Sequence, residues 1–334
     1  MRDSLALWLR RRPVLSRLVL ILAFALLLAL LPALVNSYWE RLLVFVFVNI
    51  ALASAWNLVG GVAGYPSFGH GVFFGLGAYS AAIVMVRWEM GLFAALVAGG
   101  LVAGLFALLF IPILRQRGFY FALSTLAALL AVQTVLREWR FTRGLAEWDL
   151  GWTLPDVGSL HFYYFLMLGL LALTLVAVVV TIHSKVGHAL HAIHKDEVVA
   201  ASVGIPCTKY KAIAFVISAA IPGVIGAAYA PFLTYISVEN VFDLAITLNM
   251  ILIAIFGGIG TVVGPIVGGI ALTVIDQVAW ANFLDYHRLI FGLLIVLVIT
   301  FRPGGVVSWF RRRQRPLAAP PQPPAAARKQ EALP

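Results

Sequence analysis

Residues 183–204 read HSKVGHALHAIHKDEVVAASVG and form the longest polar segment between two strongly apolar runs of the chain. The flanking apolar runs are residues 160–182 and 212–235. Ser184 can cap the start of a helix, and Gly204 can end one in the left-handed conformation. Pro206 can then begin the next helix, where proline is tolerated. The segment predicts one or two short helices that lie along a membrane surface.

The composition predicts an all-α integral membrane protein. Of the 334 residues, 62% are hydrophobic and only 11% are charged, and the mean hydropathy is +0.98. A soluble domain cannot bury that much apolar surface, so membrane lipid must surround most of the chain. Continuous apolar runs select helices over β-barrel strands, and we predict about ten transmembrane helices. They cover residues 18–35, 42–59, 71–88, 92–114, 119–136, 161–182, 212–235, 244–256, 263–281 and 288–302.

The distribution of charge predicts how these helices are oriented. If the N-terminus is cytoplasmic, 18 of the 24 Lys and Arg residues lie in cytoplasmic segments and the other 6 lie in outer segments. This asymmetry follows the positive-inside rule and places both termini and the loop 183–211 in the cytoplasm. It also explains the net charge of +10, so no nucleic-acid partner is predicted.

Three segments are predicted along the chain. Residues 1–17 form a basic cytoplasmic N-terminal segment, residues 18–315 a polytopic transmembrane domain, and the Pro- and Ala-rich residues 316–334 a disordered cytoplasmic tail. The first apolar run is too long for a signal peptide, so we interpret it as an uncleaved span. Trp139, Trp148 and Trp152 predict that the outer loop 137–160 lies at the membrane interface, and a lid over a ligand is the alternative.

Two glycine-rich stretches interrupt the apolar pattern, one in each half of the chain. The first is residues 57–79 and the second is residues 256–269. Broken helices at membrane depth survive only where protein buries them or where they line a cavity, so the two stretches predict a transport site between internal repeats. Tyr65, Ser67 and His70 are candidates to line it. Close helix packing through small residues is the alternative.

Few polar residues lie within the predicted spans. Asp276 is the clearest acid, and it is either a functional group or an interfacial residue near the outer end of its span. Asn49, Gln133 and Asn249 can join helices by hydrogen bonds or line a path.

The polar segment contains His188, His191 and His194 at intervals of three residues. This spacing, without a firm fourth ligand, predicts a solvated, weakly basic face rather than a metal site. Such a face would make contact with a partner depend on pH near neutrality. The sequence contains no G-x-x-x-x-G-K-[ST], H-E-x-x-H or G-x-S-x-G pattern. We therefore predict no catalytic residue and no cofactor, and any energy must come from a partner docked on the cytoplasmic loop.

Five segments match one known family in the same order along the chain. They are Gly187-His188 to Glu197 with Ala200 and Gly204; Asn57-Leu58 to Tyr79; Phe121 to Leu126; Gly257-Gly258 to Thr261 with Gly264-Pro265; and Phe301 to Gly305. They resemble the LivM-type permeases, which are membrane subunits of branched-chain amino acid ABC importers. The resemblance covers nearly the whole chain up to Arg315.

The resemblance implies an importer in the bacterial inner membrane with cytoplasmic ATP-binding subunits, a second, LivH-like permease and a periplasmic or lipid-anchored binding protein. It implies that an ATPase-coupling loop is formed by Gly187, His188, His191, Ile193, His194, Asp196, Glu197, Ala200, Val203 and Gly204. Within that loop, Ile193, Ala200 and Val203 are expected to supply apolar docking contacts and Glu197 a polar one. The expected translocation path includes Tyr65, Ser67, Gly69, His70, Ser124, Thr125, Asn249, Gly257, Gly258 and Gly260.

The sequence departs from the family pattern in ways that leave the solute open. The loop histidines replace residues that are usually Arg, Tyr65-Pro66 replaces a common Gln, and Thr142-Arg143-Gly144 keeps only part of a glycine motif. Branched-chain or other apolar amino acids are the first prediction, and urea or short amides are the alternative. An ion-coupled secondary transporter would need buried charges that this chain scarcely has. A membrane-embedded enzyme would need a nucleophile or a metal cluster.

Overall fold

The computed structural model describes residues 13–138, 151–282, 292, 305 and 306. Most of the basic N-terminal segment, the predicted last span and the predicted tail 316–334 lie outside these residues, as do Trp139 and Trp148.

The described chain is a bundle of long apolar helices, which confirms the predicted all-α membrane fold. The long helices are α1 (Pro13–Ala29), α2 (Ser37–Asn57), α3 (His70–Ala82), α4 (Leu92–Ala107), α5 (Gly118–Glu138), α6 (Leu160–His183), α9 (Cys207–Leu233), α11 (Leu244–Gly257) and α12 (Val263–Asn282). The short elements are β1 (Gly151–Thr153), α7 (Lys185–Lys195), α8 (Glu197–Ser202), β2 (Tyr235–Ser237) and α10 (Val238–Val241).

Eight segments within the described residues are long and apolar enough to cross a membrane. They correspond in order to the first eight predicted spans, and α12 has a shorter apolar stretch, Val263–Gln277. Several ends are fixed by local capping: the side chain of Asn36 accepts a hydrogen bond from the Trp39 N–H at the start of α2, and Ser159 does the same for Phe162 at α6. The sequence thus sets these boundaries through short-range hydrogen bonds.

Helices α3, α4 and α9 pack closely through glycine. Gly77 of α3 lies directly against the backbone of Gly223 in α9, and a Cβ on Gly99 of α4 would stand 2.8 Å from the Gly223 carbonyl oxygen. No side chain fits between backbones at that distance. This is the small-residue packing that membrane helices use in place of a hydrophobic driving force.

A two-stranded antiparallel ribbon was not expected from the sequence. β1 pairs with β2 in the register Gly151 with Ser237, Trp152 with Ile236 and Thr153 with Tyr235. Trp152 is only 2% exposed because it packs into the main hydrophobic core. The Trp152 ring therefore contacts protein rather than lipid headgroups, since the strand pairing turns it inward, and the interfacial depth of the loop stays a prediction.

Candidate functional site

The polar segment forms the two short helices α7 and α8, and its predicted caps are confirmed. The Ser184 side chain accepts a hydrogen bond from the Val186 N–H over 3.1 Å. Asp196 caps α8 by accepting from the backbone N–H groups of Val198 and Val199. Gly204 ends the segment with φ of +86°, a conformation that a residue with a Cβ rarely adopts.

Glu197, at the start of α8, is tied to the body of the protein by a cluster of polar groups. Its carboxylate accepts hydrogen bonds from Lys211 Nζ at 2.8 Å and from the Tyr65 hydroxyl, and it pairs with Arg117 Nε at 2.8 Å. Lys211 also donates to the Leu114 carbonyl at 2.7 Å. Lys211 is 3% exposed, so this is a buried charge that needs its carboxylate partner. We call these residues the Glu197 cluster.

The cluster holds Glu197 in its ionised form. Partial burial would raise the pKa of the carboxyl, but hydrogen bonds from Lys211 and Tyr65 and the nearby charges of Lys211 and Arg117 outweigh it and lower the pKa below its usual range. Burial raises the pKa of the Tyr65 phenol, and the Glu197 carboxylate raises it further. At neutral pH Tyr65 therefore stays protonated and donates a hydrogen bond to the Glu197 carboxylate.

The structure corrects which residues of the segment face outward. Ile193 and Ala200 are each 3% exposed and pack within the protein, so in this conformation they do not present an apolar docking surface. Val203 is 72% exposed, as expected, and Val198 and Val199 are 62% and 58% exposed. We call Val198, Val199 and Val203 the valine patch. Glu197 likewise faces inward rather than toward a partner, because Lys211 lies beneath it.

The three histidines of α7, His188, His191 and His194, lie on its exposed side. His188 and His191 contact carbonyl oxygens of their own helix through Nδ1, at 2.8 Å and 2.9 Å. His194 lies against Gly64, where an added Cβ would stand 2.7 Å from the ring. Among the described residues no group of three His, Cys, Asp or Glu side chains is placed to bind a metal ion.

The two glycine-rich stretches meet at the end of the bundle that carries α7 and α8. The Asn57 side chain accepts a hydrogen bond from the Gly260 N–H and donates one to the Thr261 carbonyl, each at 2.8 Å. A Cβ on Gly61 would stand 2.5 Å from the Gly260 nitrogen, so the two backbones touch. The helix break itself is shorter than expected, because α2 continues as a π-helical turn through Leu58–Val62. We call the Asn57 contact the Asn57 latch.

Several predicted path residues are enclosed by protein. Ser67, His70 and Thr125 are 0% exposed. The Thr125 hydroxyl accepts from the Phe68 N–H, His70 Nε2 lies 3.2 Å from the Ser218 hydroxyl, and the Ser67 hydroxyl accepts from the Gly69 N–H. In this conformation these residues hold the connection between α2 and α3 and do not line an open path. Tyr65 joins the Glu197 cluster, and the Ser124 hydroxyl donates to the Gln116 side chain.

The second glycine-rich stretch is also closely packed. Gly257 lies against the backbone of Gly264, and a Cβ on Gly305 would stand 2.6 Å from the Gly258 nitrogen. Gly258 and Gly260 have φ of +131° and +74°, which a larger residue would adopt only with strain. These glycines therefore permit a tight turn between α11 and α12, whose backbone the Asn57 latch binds.

Asn249 lines an open cavity of about 690 Å³ in the other half of the bundle, toward the end opposite α7 and α8. Its amide donates to Asn49 Oδ1 at 3.3 Å, and the Asn49 amide donates to the Thr273 hydroxyl at 3.0 Å. Asp276 lies on the same cavity wall, one turn beyond Thr273 on α12. The sequence singled out Asn49, Asn249 and Asp276 separately, as polar residues in apolar helices, and the structure brings them together.

Lys211 and Arg117 were missed as functional candidates. Both were counted only as loop charges. The available signal was the position of Lys211 directly before the apolar run 212–235, as the fifth residue of α9. An ionisable residue at such a position usually has a partner, and here that partner is Glu197.

Comparison with known proteins assigns the chain to a family. Residues 38–299 match the family described as "Branched-chain amino acid transport system / permease component". The chain is 28% identical over 309 residues to the high-affinity branched-chain amino acid transport system permease protein LivM of Escherichia coli, covering 84% of this chain and 72% of that protein. The corresponding figures for LivM of Salmonella typhimurium are 28%, 79% and 68%.

A second group of relatives is more distant. The chain is 23% identical over 279 residues to the permease protein LivH of Salmonella typhimurium, covering 77% of this chain and 90% of that protein. No solved structure matches the chain. The relatives are named as permease proteins rather than enzymes. By its family match, its LivM relatives and its apolar helices, this chain belongs to the multi-pass membrane permeases of the branched-chain amino acid ABC transporter family.

Proposed function

We propose that this chain is a membrane subunit of an importer that carries branched-chain or other apolar amino acids and is driven by separate ATP-binding subunits. The family match and the names of the relatives support this solute class over urea or short amides. A second, LivH-like permease would complete the membrane part, and a periplasmic or lipid-anchored binding protein would deliver the solute.

The observation that supports coupling of the polar segment to the ATP-binding subunits is the valine patch. Val198, Val199 and Val203 are exposed on a segment that is otherwise polar and lies outside the long apolar helices. Exposure of apolar side chains to water is unfavourable. A complex with a protein partner that covers these valines would therefore be stabilised by their burial. We assign this surface to the ATP-binding subunit and place it on the cytoplasmic side, because 18 of the 24 Lys and Arg residues fall on that side in this orientation.

The Glu197 cluster gives α8 a rigid connection to the transport helices. A displacement of α8 would act on Lys211 at the start of α9 and on Tyr65 in the connection between α2 and α3. That connection is also bound to α2, since the Trp56 indole donates to the Ser67 carbonyl at 2.7 Å. Movement of the ATP-binding subunits would therefore act on the helices that carry the Asn57 latch at the cytoplasmic end.

The test uses the complete importer, reconstituted in proteoliposomes with its ATP-binding subunits and loaded binding protein. We expect ATP-dependent uptake of radiolabelled leucine by the wild type. Val199→Asp and Val203→Asp should weaken retention of the ATP-binding subunits at least tenfold, because a carboxylate would be buried in an apolar interface. Thr208→Asp, which adds the same charge outside the patch, is the matched control. Full retention in both valine variants would remove the patch from the docking surface, and absence of leucine uptake would refute the proposed solute.

A further inference from the structure

The cavity at the end opposite α7 and α8 contains both polar groups and an apolar wall. It lies between α2, α9, α11 and α12, and its volume of about 690 Å³ falls within the usual range for small-molecule sites. Asn49 is twelve residues into α2, which places it about 18 Å below the start of that helix. The cavity therefore reaches from the bundle end to the middle of the membrane.

The polar groups are arranged on neighbouring helices at two depths. Asn249 and Asn49 lie deeper, joined by their hydrogen bond. Asp276 lies one helical turn nearer the bundle end than Thr273, which accepts from Asn49. An ionised carboxylate has about four acceptor positions, so Asp276 can bind an added ammonium group as well as a neighbour in the protein. Each asparagine amide has two N–H groups. Asn249 uses one of them to bind Asn49, and Asn49 uses one to bind Thr273.

The remaining wall is apolar and aromatic. Phe45, Val48 and Leu52 contribute from α2, Phe74 from α3 and Tyr229 from α9. An acidic group, two amides and an apolar wall together match the three parts of a zwitterionic amino acid with an aliphatic side chain. Urea or a short amide would have no cation for Asp276 and no side chain for the apolar wall.

We propose that this cavity is an amino acid binding subsite on the transport path, in which Asp276 binds the α-ammonium, the Asn49–Asn249 pair binds the α-carboxylate, and the apolar wall contacts the aliphatic side chain. The proposal deepens the proposed function and rests on it. The residues that line the subsite lie at the end of the bundle opposite the Asn57 latch. The charge asymmetry places that end on the side from which a binding protein would deliver its solute.

The experiment measures protection of a cysteine in the cavity of the assembled importer. The background is Cys207→Ser, which removes the chain's one cysteine, and Ala245→Cys supplies an exposed reporter on the cavity wall. Labelling by a small methanethiosulfonate is followed at increasing concentrations of L-leucine. The parallel probes are 4-methylpentanoate, which lacks the ammonium, 3-methylbutylamine, which lacks the carboxylate, and urea.

We expect leucine to slow labelling, and the other three probes to need at least tenfold higher concentration for the same protection. Asp276→Asn should raise the half-protecting leucine concentration about tenfold, as expected for loss of one charged hydrogen bond. It should also remove the advantage of leucine over 4-methylpentanoate. Glu239→Gln is the matched control, because Glu239 is an exposed acid at the same bundle end that pairs with Arg137.

The outcomes separate this proposal from the proposed function. Wild-type uptake of leucine without protection of the reporter, or equal protection in Asp276→Asn and the wild type, overturns the subsite. Absence of leucine uptake by the wild type would instead refute the proposed function. If Asp276→Asn fails to retain the ATP-binding subunits, Asn249→Ala takes its place. About tenfold weaker protection by leucine in Asn249→Ala supports the subsite, and unchanged protection overturns it.

Discussion

Asn57 and Gly260 are 203 residues apart in the sequence, and a hydrogen bond of 2.8 Å joins them at the end of the bundle that carries α7 and α8. With the bond from Asn57 to Thr261, it uses both polar atoms of one amide to bind the turn between α11 and α12. Asn57 is 1% exposed, and the two backbone groups that it binds are partly buried. One side chain thus joins the two glycine-rich stretches at this end of the protein.

Asn57→Ala should destabilise this end of the protein. Two partly buried backbone groups would lose their partner, at a total cost of about 1–3 kcal/mol, because water can replace part of each bond. The measurement is the thermal midpoint at which a thiol-reactive dye reacts with Cys207, which is 8% exposed in the folded protein. Asn36→Ala is the control, because it removes a single capping bond at an exposed helix end. A larger drop for Asn36→Ala than for Asn57→Ala would show that the latch contributes little.

Two glycine substitutions should act in opposite directions. Gly77→Val places a branched side chain against the Gly223 backbone, so α3 and α9 must separate, and we expect a loss of several kcal/mol in the free energy of unfolding. Gly169→Ala adds a methyl group where no atom lies within 4 Å, and it should stabilise α6 by up to about 1 kcal/mol. The thermal midpoint at which the dye reacts with Cys207 measures both effects. Equal midpoints for the two variants would contradict the close packing of α3 against α9.

Glu197→Gln should cost about 3–5 kcal/mol, because it leaves the buried ammonium of Lys211 without its carboxylate. The double variant Glu197→Gln with Lys211→Met removes both charges and should recover part of that loss. A double-mutant cycle on the free energy of unfolding measures the coupling between the two residues. Additive effects would mean that the ion pair does not stabilise α8.

The lowered pKa of the Glu197 carboxyl predicts the acid sensitivity of α8. The unfolded carboxyl titrates at about 4.3, so the stability that Glu197 contributes is fully present above that pH. It is lost as the pH falls through the lower folded pKa. Hydrogen exchange of the Val198 and Val199 amides should therefore stay slow from pH 5 to 8, after correction for intrinsic rates, and the protection should fall below pH 4. Loss of protection between pH 5 and 7 would contradict the assignment.

Much of the structure of the polar segment 183–204 follows from local sequence. Ser184 and Gly204 mark its limits because a cap or a left-handed residue depends on neighbours within one turn. Which side chains of α7 and α8 face outward was not predictable in the same way. Ile193 is buried and Val198 is exposed because the connection between α2 and α3 and the start of α9 pack beneath them.

The sequence by itself determined that this chain is a bundle of membrane helices with a polar surface segment, since apolar run length, helix caps and charge asymmetry are local properties. Tertiary structure alone decided that Glu197 turns inward to Lys211 and Tyr65, that Asn49, Asn249 and Asp276 share one cavity, and that Asn49 donates to Thr273. Their partners are distant along the chain, with 224 positions separating Asn49 from Thr273. Which helices become neighbours, and in what rotation, depends on the packing of whole helix faces, and no short stretch of sequence encodes it.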